Sequence, residues 1–99
     1  MKTFMQLLLA VKTHIPPLEF YRIELPDMAP PKRNGWHDGG LCPFHTDHNT
    51  GSFHVNSQSG AFRCFSCDKN GGDIIAFIQL RDDLTCSEAV HKLADEWEV

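Results

Sequence analysis

The stretch that decides the fold is Leu41–Asp73, LCPFHTDHNTGSFHVNSQSGAFRCFSCDKNGGD. Two residues separate Cys42 from His45. The same spacing separates Cys64 from Cys67, and 18 residues lie between the two pairs. Three thiols and one imidazole at this spacing match the tetrahedral nitrogen and sulfur coordination of zinc. The sequence therefore predicts one zinc site, with the ligands Cys42, His45, Cys64 and Cys67.

Four protein ligands leave no open coordination position, so the predicted zinc is structural and not catalytic. Sulfur ligands also favour zinc over magnesium or calcium, which prefer oxygen. The alternatives are free core cysteines or a redox-active Cys64–Cys67 pair, but a redox pair leaves Cys42 and His45 without a role. His37 and His48 are weaker candidates for the fourth ligand, because their spacing to Cys42 is less regular.

The remaining cysteine and two of the other histidines have simpler interpretations. Cys86 stands alone, with 18 residues between it and Cys67, and we expect a small buried thiol there. His14 and His91 are expected on helices as ordinary surface residues.

Composition and charge place the chain among small globular domains. Its 99 residues are 41% hydrophobic and 22% charged, which is ordinary for one folded domain. The net charge of −4 is concentrated after residue 72, so any contact with nucleic acid is expected from the first two-thirds. The apolar run Leu7–Val11 is far shorter than the ~20 residues of a membrane helix. A secretory signal is disfavoured because Gln6 interrupts the apolar core of the opening segment, Lys12 and His14 close it, and no small-x-small cleavage site follows.

The N-terminal half is predicted to contain one helix and two strands. Phe4, Leu7, Leu8 and Val11 have helical spacing, and Pro16 and Pro17 end that helix near His14. The segment Leu18–Leu25 is rich in residues that favour strands and is predicted as a strand. A proline-rich loop, Pro26–Gly35, leads to a short strand over Trp36–Leu41.

The C-terminal half is predicted as a β-hairpin followed by two helices. The segments GSFHV and AFRC form strands joined by the turn NSQSG. Asp73 is an expected N-cap for the apolar helix IIAFIQL, and Thr85 with Glu88 fits a capping box for the last helix. The predicted fold class is α+β, a small antiparallel β-sheet flanked by helices. We divide the chain into an N-terminal helix and linker, 1–17, and one domain, 18–99.

Four motifs together carry a resemblance to a known family. They are CPFH at Cys42–His45, Ser52-Phe53 with Val55, FRCFSC at Phe62–Cys67, and GDIIAF at Gly72–Phe77. Over roughly Leu18–Trp97 the chain resembles the zinc-binding domain of bacterial and phage DNA primases. That domain is a zinc ribbon with a Cys-His-Cys-Cys site. The chain departs from the family at Gly51, where a proline is usual, and in its helix before Pro16.

The resemblance implies a role in DNA replication within the primosome. The domain is expected to recognise single-stranded DNA template while a separate primase RNA-polymerase domain or subunit synthesises the primer. A helicase is a further candidate partner, and no membrane is expected. Independently of the resemblance, reduced thiolates without an evident export signal indicate a cytoplasmic protein. We expect no catalytic site in this chain, because acidic residues such as Asp82 and Asp83 are scattered and no phosphate-binding loop accompanies them.

The predicted strand alternation indicates which side chains could contact the template. If Phe53 and Val55 face the core, His54 and Arg63 face outward. Basic residues and an aromatic ring lie before the metal site, and one lysine follows it, so the candidate nucleic-acid-binding residues are Lys32, Arg33, Trp36, His54, Arg63 and Lys69. Trp36 could instead belong to the core, and the two loop cations could be simply solvated.

The alternative function is a zinc-ribbon protein–protein interaction module without nucleic-acid binding. In that case the N-terminal helix and the apolar helix that contains Ile74, Ile75, Phe77 and Ile78 would dock a partner.

Overall fold

The computed structural model describes residues 2–46 and 51–99, which form four helices and one four-stranded sheet. In chain order the elements are α1 Phe4–His14, α2 Pro17–Glu24, β1 Trp36–Asp38, β2 Phe53–Asn56, β3 Phe62–Cys64, β4 Asn70–Gly71, α3 Ile74–Asp82 and α4 Cys86–Trp97. The predicted α+β class is confirmed.

The sheet is antiparallel throughout, in the order β1-β2-β3-β4. Phe53, Val55 and Phe62 are buried on its inner face, as the alternation predicts. His54 lies opposite Arg63 in the register, so both occupy the outer face. The sheet therefore has one face that packs on the helices and one that is open to solvent.

The predicted strand over Leu18–Leu25 is wrong, because this segment is helix α2. Pro17 occupies the first helical position, where its missing N–H costs nothing. Phe20, Tyr21 and Leu25 then fall on one helix face and are buried. Burial of that face outweighs the strand preference of the individual residues.

The other helices begin where their capping residues predict. Asp73 accepts a hydrogen bond from the Ala76 N–H and begins α3. Thr85 and Glu88 form the predicted capping box of α4, and a further capping box, between Thr3 and Gln6, begins α1. Each box satisfies N–H groups that the first turn leaves without intrahelical partners.

Helix α3 forms the centre of the hydrophobic core. Its apolar side chains are buried against the inner sheet face and the other helices: Ile74, Ile75, Phe77 and Ile78. The expectation that this helix docks a partner is therefore wrong, since these side chains are already covered. Within residues 2–46 and 51–99, no helix is long and apolar enough to cross a membrane.

Candidate metal centre and the adjoining sheet face

The structure brings the four predicted metal ligands together at one end of the sheet. The ligand atoms of Cys42, His45, Cys64 and Cys67 all lie within 4.8 Å of one another. Cys42 and His45 lie in the loop after β1, Cys64 ends β3, and Cys67 lies in the turn before β4. Cys42 and Cys64 are buried, while His45 and Cys67 are partly exposed.

Backbone geometry at each pair organises the turn around sulfur. The Phe44 N–H donates to Cys42 Sγ at 3.4 Å. At the second pair the turn is closed by the Asp68 N–H, which donates to the Cys64 carbonyl oxygen at 2.9 Å, with Asp68 in the left-handed region at φ 62°. These turns direct the thiols of both pairs towards the same cluster.

The spacing and chemistry of the cluster fit zinc. Cys42 Sγ and Cys67 Sγ lie 3.8 Å apart, and none of the four cysteines is in a disulfide. A disulfide requires an S–S distance of about 2.05 Å, so these thiols are not oxidised partners. Two sulfurs bound tetrahedrally to zinc at about 2.3 Å lie about 3.8 Å apart, which is the spacing found here.

The protein environment acts differently on two of the thiols. Burial raises the pKa of Cys42, and the neighbouring thiols of Cys64 and Cys67 add to this effect, although the Phe44 N–H opposes it. Burial also acts to raise the pKa of Cys64, but donation from the backbone N–H groups of Cys67 and Ser66 outweighs it, so that pKa is lowered. The peptide groups thus favour the thiolate at Cys64, which is the form that binds metal.

The ring of Phe44 connects the first ligand pair to the core. Its centroid lies 5.8 Å from that of Phe53, 5.5 Å from that of Phe62 and 5.5 Å from that of Phe77. Edge and tilted ring contacts at these distances are favourable. The metal-site loop is therefore packed against both the inner sheet face and α3.

The other cysteine and histidine predictions have mixed outcomes. Cys86 is exposed, so the prediction of a buried thiol is wrong. Cys86 is the first residue of α4, and the first buried residue of that helix is Ala89. His14 and His91 are exposed, as predicted. His37 Nε2 lies 3.2 Å from Ser57 Oγ and is not among the clustered ligands. His48, the other weaker ligand candidate, lies outside the described residues.

Three of the predicted nucleic-acid-binding residues meet on the outer sheet face. Trp36, His54 and Arg63 line a pocket of about 280 Å³ together with Phe65. The Trp36 side chain is 50% exposed and therefore does not belong to the core. We name this pocket the outer-face pocket.

Phe65 was not predicted as a site residue, although its signal is present in the sequence. It is the residue after Cys64 in the C-x-x-C pair, and it is 62% exposed. The guanidinium carbon of Arg63 lies 4.9 Å from its ring centroid, and the His54 ring centroid lies 5.6 Å away. A large exposed aromatic ring in the turn that carries two of the predicted metal ligands indicates a contact surface.

The remaining three cations lie at the sides of this face. Lys32 and Arg33 line a second pocket of about 380 Å³, which shares Trp36 with the outer-face pocket. Lys69 is exposed in the turn between β3 and β4. All three are exposed, and among the described residues none forms an ion pair with a carboxylate.

Comparison with known proteins identifies the family. The model of the family described as CHC2 zinc finger matches residues 26–99. The DNA primase of Mycolicibacterium smegmatis is 53% identical over 57 residues, covering 58% of this chain and 9% of the relative. The DNA primase of Listeria monocytogenes is 44% identical over 64 residues, covering 65% and 10% respectively. The chain thus spans about a tenth of the length of these curated relatives.

A solved structure extends the likeness over almost the whole chain. The crystal structure of the Aquifex aeolicus primase, containing its zinc-binding and RNA polymerase domains, matches with a TM-score of 0.73 and 26% identity. The match covers 99% of this chain and 22% of that protein, and therefore includes α1. The chain therefore belongs to the CHC2 zinc-finger family and has the fold and the Cys-His-Cys-Cys cluster of a DNA primase zinc-binding domain.

Proposed function

We propose that this chain recognises single-stranded DNA template for a DNA primase, through the outer face of its sheet. The observation that carries the proposal is the group of exposed aromatic and cationic side chains directly beside the cysteine cluster. An aromatic surface next to exposed cations is the usual means of holding single-stranded nucleic acid.

In this proposal one zinc ion is bound by Cys42, His45, Cys64 and Cys67. When bound, the ion supplies a cross-link between the loop after β1 and the turn before β4. With all four positions taken by protein, it activates no water and has no catalytic role. The chain's contribution is to hold Arg63 and Phe65, which flank Cys64, in one fixed orientation.

The template would lie across the outer face with its bases towards the rings and its phosphates near the cations. Trp36 and Phe65 offer flat apolar surfaces for stacking, and Lys32, Arg33 and Lys69 are available for phosphates. With few cations and a net charge of −4, we expect weak binding that falls steeply with added salt.

Primer synthesis would require a catalytic partner, and a primase RNA-polymerase domain or subunit is the natural one. The Aquifex aeolicus primase structure combines a zinc-binding domain with an RNA polymerase domain. In this chain Asp82 is already paired with Arg81 and Lys92, so it is not a free magnesium ligand. A helicase is a second candidate partner, and a cytoplasmic location follows from this role.

The alternative, a protein-interaction module without nucleic-acid binding, is favoured by one observation. On α1, Met5 and Leu9 lie one turn apart and are 59% and 56% exposed.

The division of the chain into residues 1–17 and 18–99 also remains a proposal, although Val11 and Ile15 belong to the common core.

A primer-synthesis assay separates these functions. The primase catalytic domain of the same genome is assayed with and without this zinc-loaded chain. Changing Lys32, Arg33 and Arg63 to Gln should remove most of the stimulation while metal content and melting temperature stay unchanged. The matched control changes the exposed cations Lys2 and Lys12, at and beside α1, to Gln and should retain it.

Two results would contradict the proposal. Full stimulation by the triple variant would show that Lys32, Arg33 and Arg63 are not needed for template recognition. Loss of stimulation by Met5→Ser with Leu9→Ser, at unchanged binding of single-stranded DNA, would favour the protein-interaction function.

A further inference from the structure

We propose that the outer-face pocket holds one unpaired guanine base. This inference rests on the proposed template binding and narrows it to one base at one place on the sheet. The pocket is lined by Trp36, His54, Arg63 and Phe65.

The size of the pocket fits one base. Its volume of about 280 Å³ lies just below the roughly 300–1,000 Å³ of pockets that take drug-sized ligands. A single planar heterocycle is therefore of a suitable size for it. The neighbouring bases of a strand would lie outside, towards the pocket that contains Lys32 and Arg33.

The walls of the pocket are suited to stacking. Trp36 and Phe65 expose half or more of their surface, although the same domain buries several other large aromatic side chains fully. Among the described residues, Trp36 makes no ring contact with another aromatic side chain. An exposed indole without a stacking partner beside an exposed phenyl ring can accept a base against its face.

Arg63 supplies the base-specific contact. Its guanidinium carbon lies 4.9 Å from the Phe65 ring centroid, so the aromatic ring restrains the side chain. No hydrogen bond or ion pair within residues 2–46 and 51–99 engages its N–H groups. The two-pronged donor geometry of arginine matches O6 and N7 of guanine, which is the commonest base-specific contact in protein–DNA complexes.

His54 adds an acceptor next to this donor. Its Nε2 lies 3.0 Å from the Gly51 carbonyl oxygen, which can only accept, so Nε2 carries the proton. In the neutral ring Nδ1 is then an acceptor. On the edge that carries N7, guanine presents two acceptors to arginine, O6 and N7, whereas adenine presents only N7. Guanine also has N1–H and 2-amino donors.

The test uses the zinc-loaded chain with Trp97→Phe, which leaves Trp36 as the only tryptophan. Short thymidine oligomers with one central guanine, adenine or cytosine are titrated while Trp36 fluorescence is recorded. The guanine oligomer should bind about fivefold tighter or more. Trp97 packs against the core, so Trp97→Phe removes a core contact. Amide chemical shifts of His54 and Arg63, recorded in the chain that keeps Trp97, therefore give a second readout.

Three variants assign the effect to named groups. Arg63→Lys keeps the charge but lacks the two-pronged donor, so it should lose the preference for guanine. Phe65→Leu should weaken binding of every oligomer. Phe4→Leu, which changes an exposed ring on α1, is the matched control and should leave the affinity for every oligomer unchanged.

Free guanosine monophosphate distinguishes a template base from the base of an incoming nucleotide. If the free nucleotide binds as tightly as the guanine oligomer, the pocket binds the nucleotide and the template assignment is overturned.

The outcomes separate this inference from the proposed function. Equal affinity for all oligomers, unaltered by Arg63→Lys, overturns the guanine pocket but leaves template binding in place. No binding of any oligomer at low salt overturns both. A preference for adenine or cytosine also overturns the guanine assignment.

Discussion

Cys42 Sγ and Cys67 Sγ lie 3.8 Å apart, although the two residues are 25 positions apart along the chain. One sulfur belongs to the loop after β1 and the other to the turn before β4, at opposite edges of the sheet order. An ion bound between them would therefore connect parts of the sheet that share no ladder hydrogen bonds. Phe65 of the outer-face pocket directly follows the third ligand, so that connection would steady one wall of the pocket.

Removal of metal should unfold the domain. Zinc binding in comparable sites is worth about 10–16 kcal/mol, which is as large as the whole stability of most small domains. We expect a chelator to abolish the cooperative thermal transition followed by circular dichroism, and re-addition of zinc to restore it. An unchanged transition after complete metal removal would contradict a structural role for zinc.

The paired variants Cys64→Ser and Cys86→Ser test the assignment of the ligands. Cys64→Ser should lose stoichiometric zinc in elemental analysis, whereas Cys86→Ser should retain it, because the exposed Cys86 lies outside the cluster. Retention of zinc and fold by Cys64→Ser would rule out the proposed ligand set.

Tyr21→Phe should destabilise the domain at neutral pH. The Tyr21 hydroxyl donates to the Gly60 carbonyl oxygen at 2.6 Å and links α2 to the hairpin turn. Its loss leaves a buried acceptor without a donor, at a cost of about 1–3 kcal/mol in urea denaturation. No measurable loss would mean that water replaces the hydroxyl.

The same hydrogen bond has a pH dependence of defined sign. Burial, and secondarily the Asp73 carboxylate, raise the pKa of Tyr21 far above its ordinary value. Above about pH 10 the unfolded chain loses this proton and the folded chain keeps it, so stability falls by about 1.4 kcal/mol per pH unit. Tyr21→Phe lacks this term, and its deficit relative to the parent chain should shrink as the pH rises through about 10.

The adjacent glycines Gly71 and Gly72 should differ in their response to substitution by alanine. A Cβ at Gly71 would lie 2.6 Å from the buried Phe62 ring and 2.8 Å from Ala76 Cβ, whereas a Cβ at Gly72 would meet nothing within 4 Å. Gly71→Ala should cost about 1–3 kcal/mol through overpacking. Gly72→Ala should be close to neutral in the same thermal melts; equal melting temperatures would show that the Phe62 ring can move aside.

Asp82→Asn should cost about 1 kcal/mol at neutral pH, because Asp82 accepts hydrogen bonds from Arg81 and Lys92 and links α3 to α4. These bonds, that from Arg81 first, lower the pKa of Asp82 against the opposing effect of burial. Its contribution is therefore complete above the ordinary pKa of about 3.9 and is lost as the pH falls below it.

The neighbouring variant Asp83→Asn is the control. Asp83 is exposed at φ 55°, a conformation that asparagine also tolerates. We expect its urea midpoint to match that of the parent at neutral pH, and the Asp82→Asn and parent curves to converge in acid, below the ordinary carboxyl pKa. A pH-independent deficit would assign the loss to packing and not to charge.

The sequence alone determined the features that depend on local spacing. In each ligand pair two residues intervene, and Thr85 and Glu88 likewise lie three positions apart. Asp73 caps a helix that begins at the next residue. A single turn fixes the geometry at each of these places, so it follows from the local sequence. The alternation of Phe53 and Val55 with His54 likewise determined which sheet face is buried.

The tertiary structure decided what depends on burial. Segment 18–25 favours strands residue by residue but becomes a helix, because Phe20 and Tyr21 are covered by the ring of Phe77. The two-residue strand β4 is too short for any periodicity to indicate it. The outer-face pocket joins Trp36 to Phe65 across three strands, and only the register of the sheet brings residues so distant in sequence into one site.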